Sequence, residues 1–164
     1  MSRLLLAISI LCSLLFSSLA FAASDEGFPG RPKYTDVKHM TKERLFQDLK
    51  KVVVVDARSS LEYQTLRIKG ARHIPVAKKD PFVAGVKALR QETDKPIVFY
   101  CNGRSCMKSY IASRYAQQAG VKNVYAYDAG VFEWSQAFPR ESVLLGKSPI
   151  NPKDIIPKSD FKRR

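Results

Sequence analysis

The 164-residue sequence predicts an α/β domain with a central, mainly parallel sheet and helices on both faces. Three observations carry this. Apolar runs without polar alternation occur at residues 52–55, Ile97–Tyr100 and Val124–Tyr127, the pattern of strands buried on both faces. Segments with apolar residues at helical spacing separate them. The composition, 45% hydrophobic and 26% charged, suits one core in one domain. That composition excludes a disordered chain, and three cysteines are too few for a disulfide-stapled miniprotein. A single long apolar stretch, at the N-terminus, excludes a polytopic membrane protein.

That stretch, residues 1–22, reads as a cleaved export signal. Arg3 supplies the positive start, residues 4–21 are apolar or small, and Ala20-Phe21-Ala22 is the pattern a signal peptidase cuts after. The expectation is a periplasmic chain beginning at Ala23. Cys12 leaves with the signal, so Cys101 and Cys106 enter an oxidising compartment as a close pair. Residues 23–37 carry Gly, Pro and charge without periodicity and read as a linker. Thr41 is a natural cap for a helix, with Met40 and Leu45 at staple positions and Glu43 in the first turn. After the strand at 52–55, residues 71–74 form a short strand candidate closed by Pro75. A helix is expected over 81–91, capped by Asp80, with Phe82, Val86 and Leu89 on one face. Ile97–Tyr100 is entered through Pro96. Residues 107–119 place Met107, Tyr110, Ile111 and Tyr115 at helical spacing and stop at Gly120. Val124–Tyr127 is the last clear strand, and 131–138 a short helix before Pro139. The domain therefore spans 38–139. Residues 140–164, with Pro149, Pro152 and Pro157 and a surplus of cations ending in Lys162-Arg163-Arg164, read as a basic, proline-containing tail.

The chemistry concentrates in Tyr100-Cys101-Asn102-Gly103-Arg104-Ser105-Cys106-Met107-Lys108. A cysteine follows a buried strand, a polar loop comes next, and a helix begins at once. Ligands bind beyond the carboxyl ends of strands in such sheets, so Cys101 stands where sites form. Amides of the loop and of the helix start can converge on its sulfur, which stabilises a thiolate and binds anions. Such placements bring a thiol from about 8.5 into the range of roughly 3.5–7.5. Gly103 permits the turn, and Arg104 and Lys108 add positive charge. A pair of small buried residues at a strand end is the competing reading, and the polar, cationic loop argues against it.

Four segments in order resemble the rhodanese homology domain of sulfurtransferases. Val55-Asp56-Ala57-Arg58-Ser59-Ser60-Leu61-Glu62-Tyr63 is similar to its first motif, and Gly70-Ala71-Arg72-His73-Ile74-Pro75 to its second. Tyr100-Cys101 matches the active-cysteine position, and the run from Asn123 through Gly130 to Trp134 resembles the closing element. The sequence departs from the family pattern at Leu66-Arg67-Ile68, at Ala129 before Gly130, and in the loop, where Cys106 stands five residues after Cys101 in place of the arginine many members carry. Related loops of the form Cys-x5-Arg do not match, because residue 107 is Met. The resemblance implies a rhodanese-like fold and sulfur transfer. Cys101 would attack a sulfane donor such as thiosulfate, carry the sulfur as a persulfide, and yield it to a thiol or cyanide, without a cofactor. Residues 102–108 would form the substrate loop, with Arg104 and Lys108 holding the anionic donor.

Cys106 reads either as a resolving thiol or as a packed residue of the first helical turn. Asp56 and Arg58 follow a strand end and border the pocket; the resemblance places them, with Glu62, in a structural ion-pair network. His73 reads as a satisfied histidine and Trp134 as core. One Cys-x4-Cys pair, with His39 and His73 remote, has no metal-ligand spacing. The net charge of +13 favours small anions; no nucleic-acid motif occurs, and the basic tail offers a weak contact to anionic membrane surfaces. Two other classes compete with a sulfurtransferase: a thiol-disulfide redox protein using Cys101 and Cys106, and a non-catalytic rhodanese-like binding or sulfur-carrier module.

Overall fold

The computed structural model describes residues 27–155. In chain order these form α1 (Lys42–Gln47), β1 (Val53–Asp56), α2 (Ser60–Thr65), β2 (Leu66–Ile68), β3 (Arg72–His73), α3 (Lys79–Glu92), β4 (Ile97–Tyr100), α4 (Lys108–Gln118), β5 (Val124–Tyr127), α5 (Gly130–Ala137) and β6 (Ser142–Leu144). Single 3-10 turns occur at Arg31–Lys33, Pro139–Glu141 and Pro152–Asp154. The expected signal, 1–22, and the last residues of the tail, 156–164, lie outside the described residues.

The three apolar runs become neighbouring parallel strands in a four-stranded sheet of order β3-β1-β4-β5. This is the predicted α/β architecture. Because successive strand residues point to opposite faces, each run serves two cores. Val55, Ile97, Phe99 and Val124 pack against Phe82, Val86 and Leu89 of α3 and Ala112 and Ala116 of α4. Val54, Val98, Tyr100 and Tyr127 pack on the other face with Leu45 of α1, Ile68 of β2 and Trp134 of α5. The register aligns Asp56, Tyr100 and Tyr127 across three strands, so Ala57, Cys101 and Asp128 leave the sheet side by side at its carboxyl end.

Local details differ from the sequence expectations. α3 starts at Lys79, before Pro81, with no side-chain cap; Asp80 lies in its first turn and does not cap it. The first amides of a helix lack intrahelical partners, so a proline there removes no bond. α2, which periodicity alone does not announce, is closed by a capping box between Ser59 and Glu62. The segment read as a tail supplies β6, which pairs antiparallel with β2 through Arg67 and Val143, and the nearby Ile150 and Ile155 are buried in the core beside α5. At the other end, the described part of the N-terminal segment docks on the sheet. His39 bridges Ala126, so the free edge of β5 is covered, and Tyr34 stacks on Tyr110 with ring centroids 5.2 Å apart.

Trp134 is fully buried and donates from Nε1 to the Glu141 carbonyl at 3.0 Å, which ties α5 to the start of β6. Trp134→Ala is expected to lower the unfolding free energy by about 3–5 kcal/mol, read from urea denaturation.

Candidate functional site

The loop between β4 and α4 is held by two helix starts. On one side, the amides of Val131 and Phe132 donate to the carbonyls of Cys101 and Asn102 at 2.9 and 3.2 Å. These are early amides of α5, which no side chain caps, so the loop carbonyls satisfy donors that would otherwise be orphaned. The approach is close enough to need glycine. Gly130 has φ +75°, and a Cβ there would fall 2.3 Å from the Gly103 nitrogen and 2.4 Å from the Asn102 carbonyl carbon. On the other side, α4 begins after Met107 with no side-chain cap, and its first amides turn to sulfur. The amides of Lys108 and Asn102 favour negative charge on Cys106, and that of Ser109 favours it on Cys101.

Cys101 is fully buried, and Cys106 half-buried beside it. The Cys101 thiol donates to the Cys106 carbonyl oxygen at 3.2 Å and lies 3.6 Å from Ser109 Oγ. Burial, and then the neighbouring Cys106, push the Cys101 thiol well above the ordinary thiol range. Cys106 moves the other way. The adjacent Cys101 thiol, reinforced by the Lys108 and Asn102 amides and the Lys108 charge, outweighs burial and brings it down to about 6. The thiolate stabilisation expected at Cys101 therefore falls on Cys106 in this arrangement. The physical reason is that the cradle holds one negative charge, and the deeper sulfur keeps the proton.

Asn102 is clamped between two charges. Its Oδ1 accepts from Arg58 Nη1 at 3.0 Å, and its Nδ2 donates to Glu62 Oε1 at 2.6 Å. Arg58 is almost completely buried; it donates to Asp56 from Nε at 2.9 Å and from Nη2 at 2.6 Å, and also bonds the Leu66 carbonyl. Asp56 and Arg58 thus reach the loop through Asn102. Glu62 caps α2 and meets Lys108 Nζ at 3.4 Å. Burial raises its pKa, but hydrogen bonds from Asn102 and Ser59 prevail and hold it near about 2. His73 Nε2 lies 3.0 Å from the Arg58 carbonyl and stacks on Tyr63, a satisfied histidine as its position suggested.

The two loop cations are engaged. Arg104 pairs with Glu133 at 2.9 Å and lies over the Phe28 ring, 4.5 Å from its centroid; Lys108 pairs with Glu62. A cavity of ≈ 340 Å³ opens beside Arg104, with Phe28, Lys42, Asp128 and Glu133 in its wall. Ser105 is exposed, and Met107 packs toward Val37 and Tyr110. Among the described residues no group of three or more His, Cys, Asp or Glu side chains is placed to hold a metal ion. Sequence reasoning missed Ser109, whose signal was its place at the second position of a helix following a strand-end cysteine. It also missed that Gly130 belongs to the loop, which only the backbone approach reveals.

Two outcomes follow from this geometry. Alkylation of the reduced chain by iodoacetamide should label Cys106 first, with a rate that rises through a midpoint near 6, and Cys101→Ala should move that midpoint upward by deleting the neighbouring thiol that lowers it. Gly130→Ala should lower the unfolding free energy by about 1–3 kcal/mol in urea denaturation and return the Cys106 midpoint toward the ordinary value of about 8.5.

A family model described as Rhodanese-like domain matches residues 40–137. The HTH-type transcriptional regulator Rv0324 of Mycobacterium tuberculosis is 37% identical over 86 residues, covering 52% of this chain and 35% of its own length. The tRNA uridine(34) hydroxylase of Erwinia tasmaniensis is 35% identical over 86 residues, covering 51% of this chain and 24% of its own. The chain thus spans about a third or less of these relatives. Among solved structures, thiosulfate sulfurtransferase from Pseudomonas aeruginosa superposes with a TM-score of 0.56 at 27% identity, over 68% of this chain and 21% of that one. The rhodanese-like domain of an Anabaena sp. protein superposes with a TM-score of 0.55 over 77% of this chain and 95% of that one; at 18% identity it bears on the fold. With the family model spanning the four-stranded sheet, the cysteine loop and the whole of α5, the chain belongs to the rhodanese-like domain family, which includes sulfurtransferases.

Proposed function

We propose that the chain is a sulfurtransferase that carries sulfane sulfur on Cys101, taking it from thiosulfate or a related anionic donor and yielding it to a thiol or cyanide. The observation that carries this reading is the cradle at the end of β4. Cys101 lies under the first turn of α4, where the Ser109 amide and hydroxyl face its sulfur. These groups stabilise negative charge on the Cys101 sulfur once its proton has passed to Cys106.

The reaction begins with a proton shift. In the resting pair Cys101 holds the proton and Cys106 the charge; passing that proton to Cys106 makes Cys101 the nucleophile. Its sulfur attacks the outer sulfur of thiosulfate, the S–S bond of the donor breaks, and sulfite leaves with the electron pair. Cys101 then bears a persulfide. Lys108 and Arg104 hold the incoming anion by exchanging Glu62 and Glu133 for it, a modest exchange because ion pairs this exposed are worth about 0–1 kcal/mol. The acceptor takes the outer sulfur and returns the thiolate.

With cyanide as acceptor, the reduced full-length chain should form thiocyanate from thiosulfate, and Cys101→Ser should reduce turnover to background, a loss of roughly 10³-fold or more. A sulfur atom removable by cyanide should appear on the Cys101 peptide by mass spectrometry. The direct contact between the two cysteines favours a second reading, dithiol-disulfide exchange. Absence of thiocyanate with every sulfane donor tried, together with cycling of a Cys101–Cys106 disulfide, would establish that reading and overturn sulfur transfer.

A further inference from the structure

Cys101 is fully buried, and the neighbouring Cys106 is half-buried. The two are joined directly: the Cys101 thiol donates to the Cys106 carbonyl at 3.2 Å, with Ser109 Oγ 3.6 Å from the same sulfur. The backbone between them is closed by a bond from the Cys106 amide to the Gly103 carbonyl at 2.9 Å and is pinned from behind by Val131 and Phe132. A persulfide on Cys101 therefore forms against the residue that carries the second thiol.

We propose, resting on the persulfide reading above, that Cys106 resolves the Cys101 persulfide and gives the chain a second activity: reduction of sulfane sulfur to hydrosulfide. The proton that the pair shares passes from Cys106 to the outer sulfur of the persulfide. The Cys106 thiolate then attacks Cys101 Sγ. A Cys101–Cys106 disulfide bond forms, the bond from Cys101 Sγ to the outer sulfur breaks, and its electron pair leaves with that sulfur as hydrosulfide. The sulfane sulfur gains two electrons, and the two cysteines lose them. Two equivalents of a small thiol, or one of a dithiol, restore the pair by exchange. Summed over the cycle, thiosulfate and two thiols give sulfite, hydrogen sulfide and one disulfide. Cys106 is suited to this step at neutral pH, because its thiolate is populated there and attacking thiols of near-ambient pKa are the most effective.

The test uses the reduced full-length chain with thiosulfate and no added acceptor. Sulfide is measured as it forms, and the protein is alkylated and weighed. The expected result is one sulfide per chain, with both cysteines protected from alkylation as a disulfide. Because Cys106 also takes the Cys101 proton, Cys106→Ser is first loaded to completion with excess thiosulfate at raised pH and freed of donor; it should then keep the added sulfur on Cys101 and release sulfide at least about tenfold more slowly than wild-type chain. Excess dithiol should turn the wild-type burst into steady sulfide production. A stable Cys101 persulfide in the wild-type chain without sulfide would overturn the proposal and leave sulfur transfer intact, and so would sulfide released without the disulfide. Neither added sulfur nor sulfide in either protein would instead sink the persulfide reading on which the proposal rests.

Discussion

Two backbone segments meet at the carboxyl end of the sheet with no room for a side chain between them. The amides of Val131 and Phe132 hold the carbonyls of Cys101 and Asn102, and Gly130 lies against the Asn102–Gly103 peptide. Each hydrogen bond is worth only about 0.5–1.5 kcal/mol net. Their larger effect is geometric. With its carbonyls turned toward α5, the loop is left with amides facing the opposite side, where α4 begins and both sulfurs lie. The same contact explains a departure from the family pattern. Ala129, at φ −68° and ψ −24°, is in ordinary right-handed backbone and accepts a Cβ, whereas Gly130 is in the left-handed region and against a peptide.

Charge is arranged around this loop in layers. Deepest is the Asp56–Arg58 pair, buried and multiply hydrogen-bonded. Such a pair adds little net stability compared with apolar packing, but losing one partner strands a buried charge at about 3–5 kcal/mol. What it supplies here is orientation, since the free Nη1 of Arg58 fixes the Asn102 amide, whose other end meets Glu62. Further out, Lys108 and Arg104 stand at the rim, each paired with a carboxylate. In the proposed reaction an incoming anion would compete there with Glu62 and Glu133 for cations already in place. The net charge of +13 adds long-range attraction for such anions, an effect that salt screens.

The cysteine pair is the point where burial and hydrogen bonding oppose each other. Desolvation keeps the proton on the deeper thiol, while donors from loop and helix gather on the shallower one. One proton between two sulfurs makes each a partner to the other's ionisation. The proposed sulfur transfer and the proposed release of hydrosulfide both draw on that shared proton.

Read as a string, the sequence already held the α/β class, the three central strands and the position of Cys101, because buried parallel strands are continuous apolar runs and the loop that follows β4 is short and polar. α2 went unread, although its Ser59–Glu62 capping box is a signal independent of hydrophobic period. What the sequence did not hold were pairings between distant segments. β6 is three residues long and exists through β2, far away in the chain; Ile150 and Ile155 are buried because that hairpin-like pair and α5 make a place for them. The clamp on Asn102 joins residues 44 and 40 positions away. Which of two neighbouring thiols keeps its proton was likewise decided in three dimensions. Residue type and spacing determine which groups a loop can offer, whereas burial and the direction of each donor arise only once the backbone has closed around it.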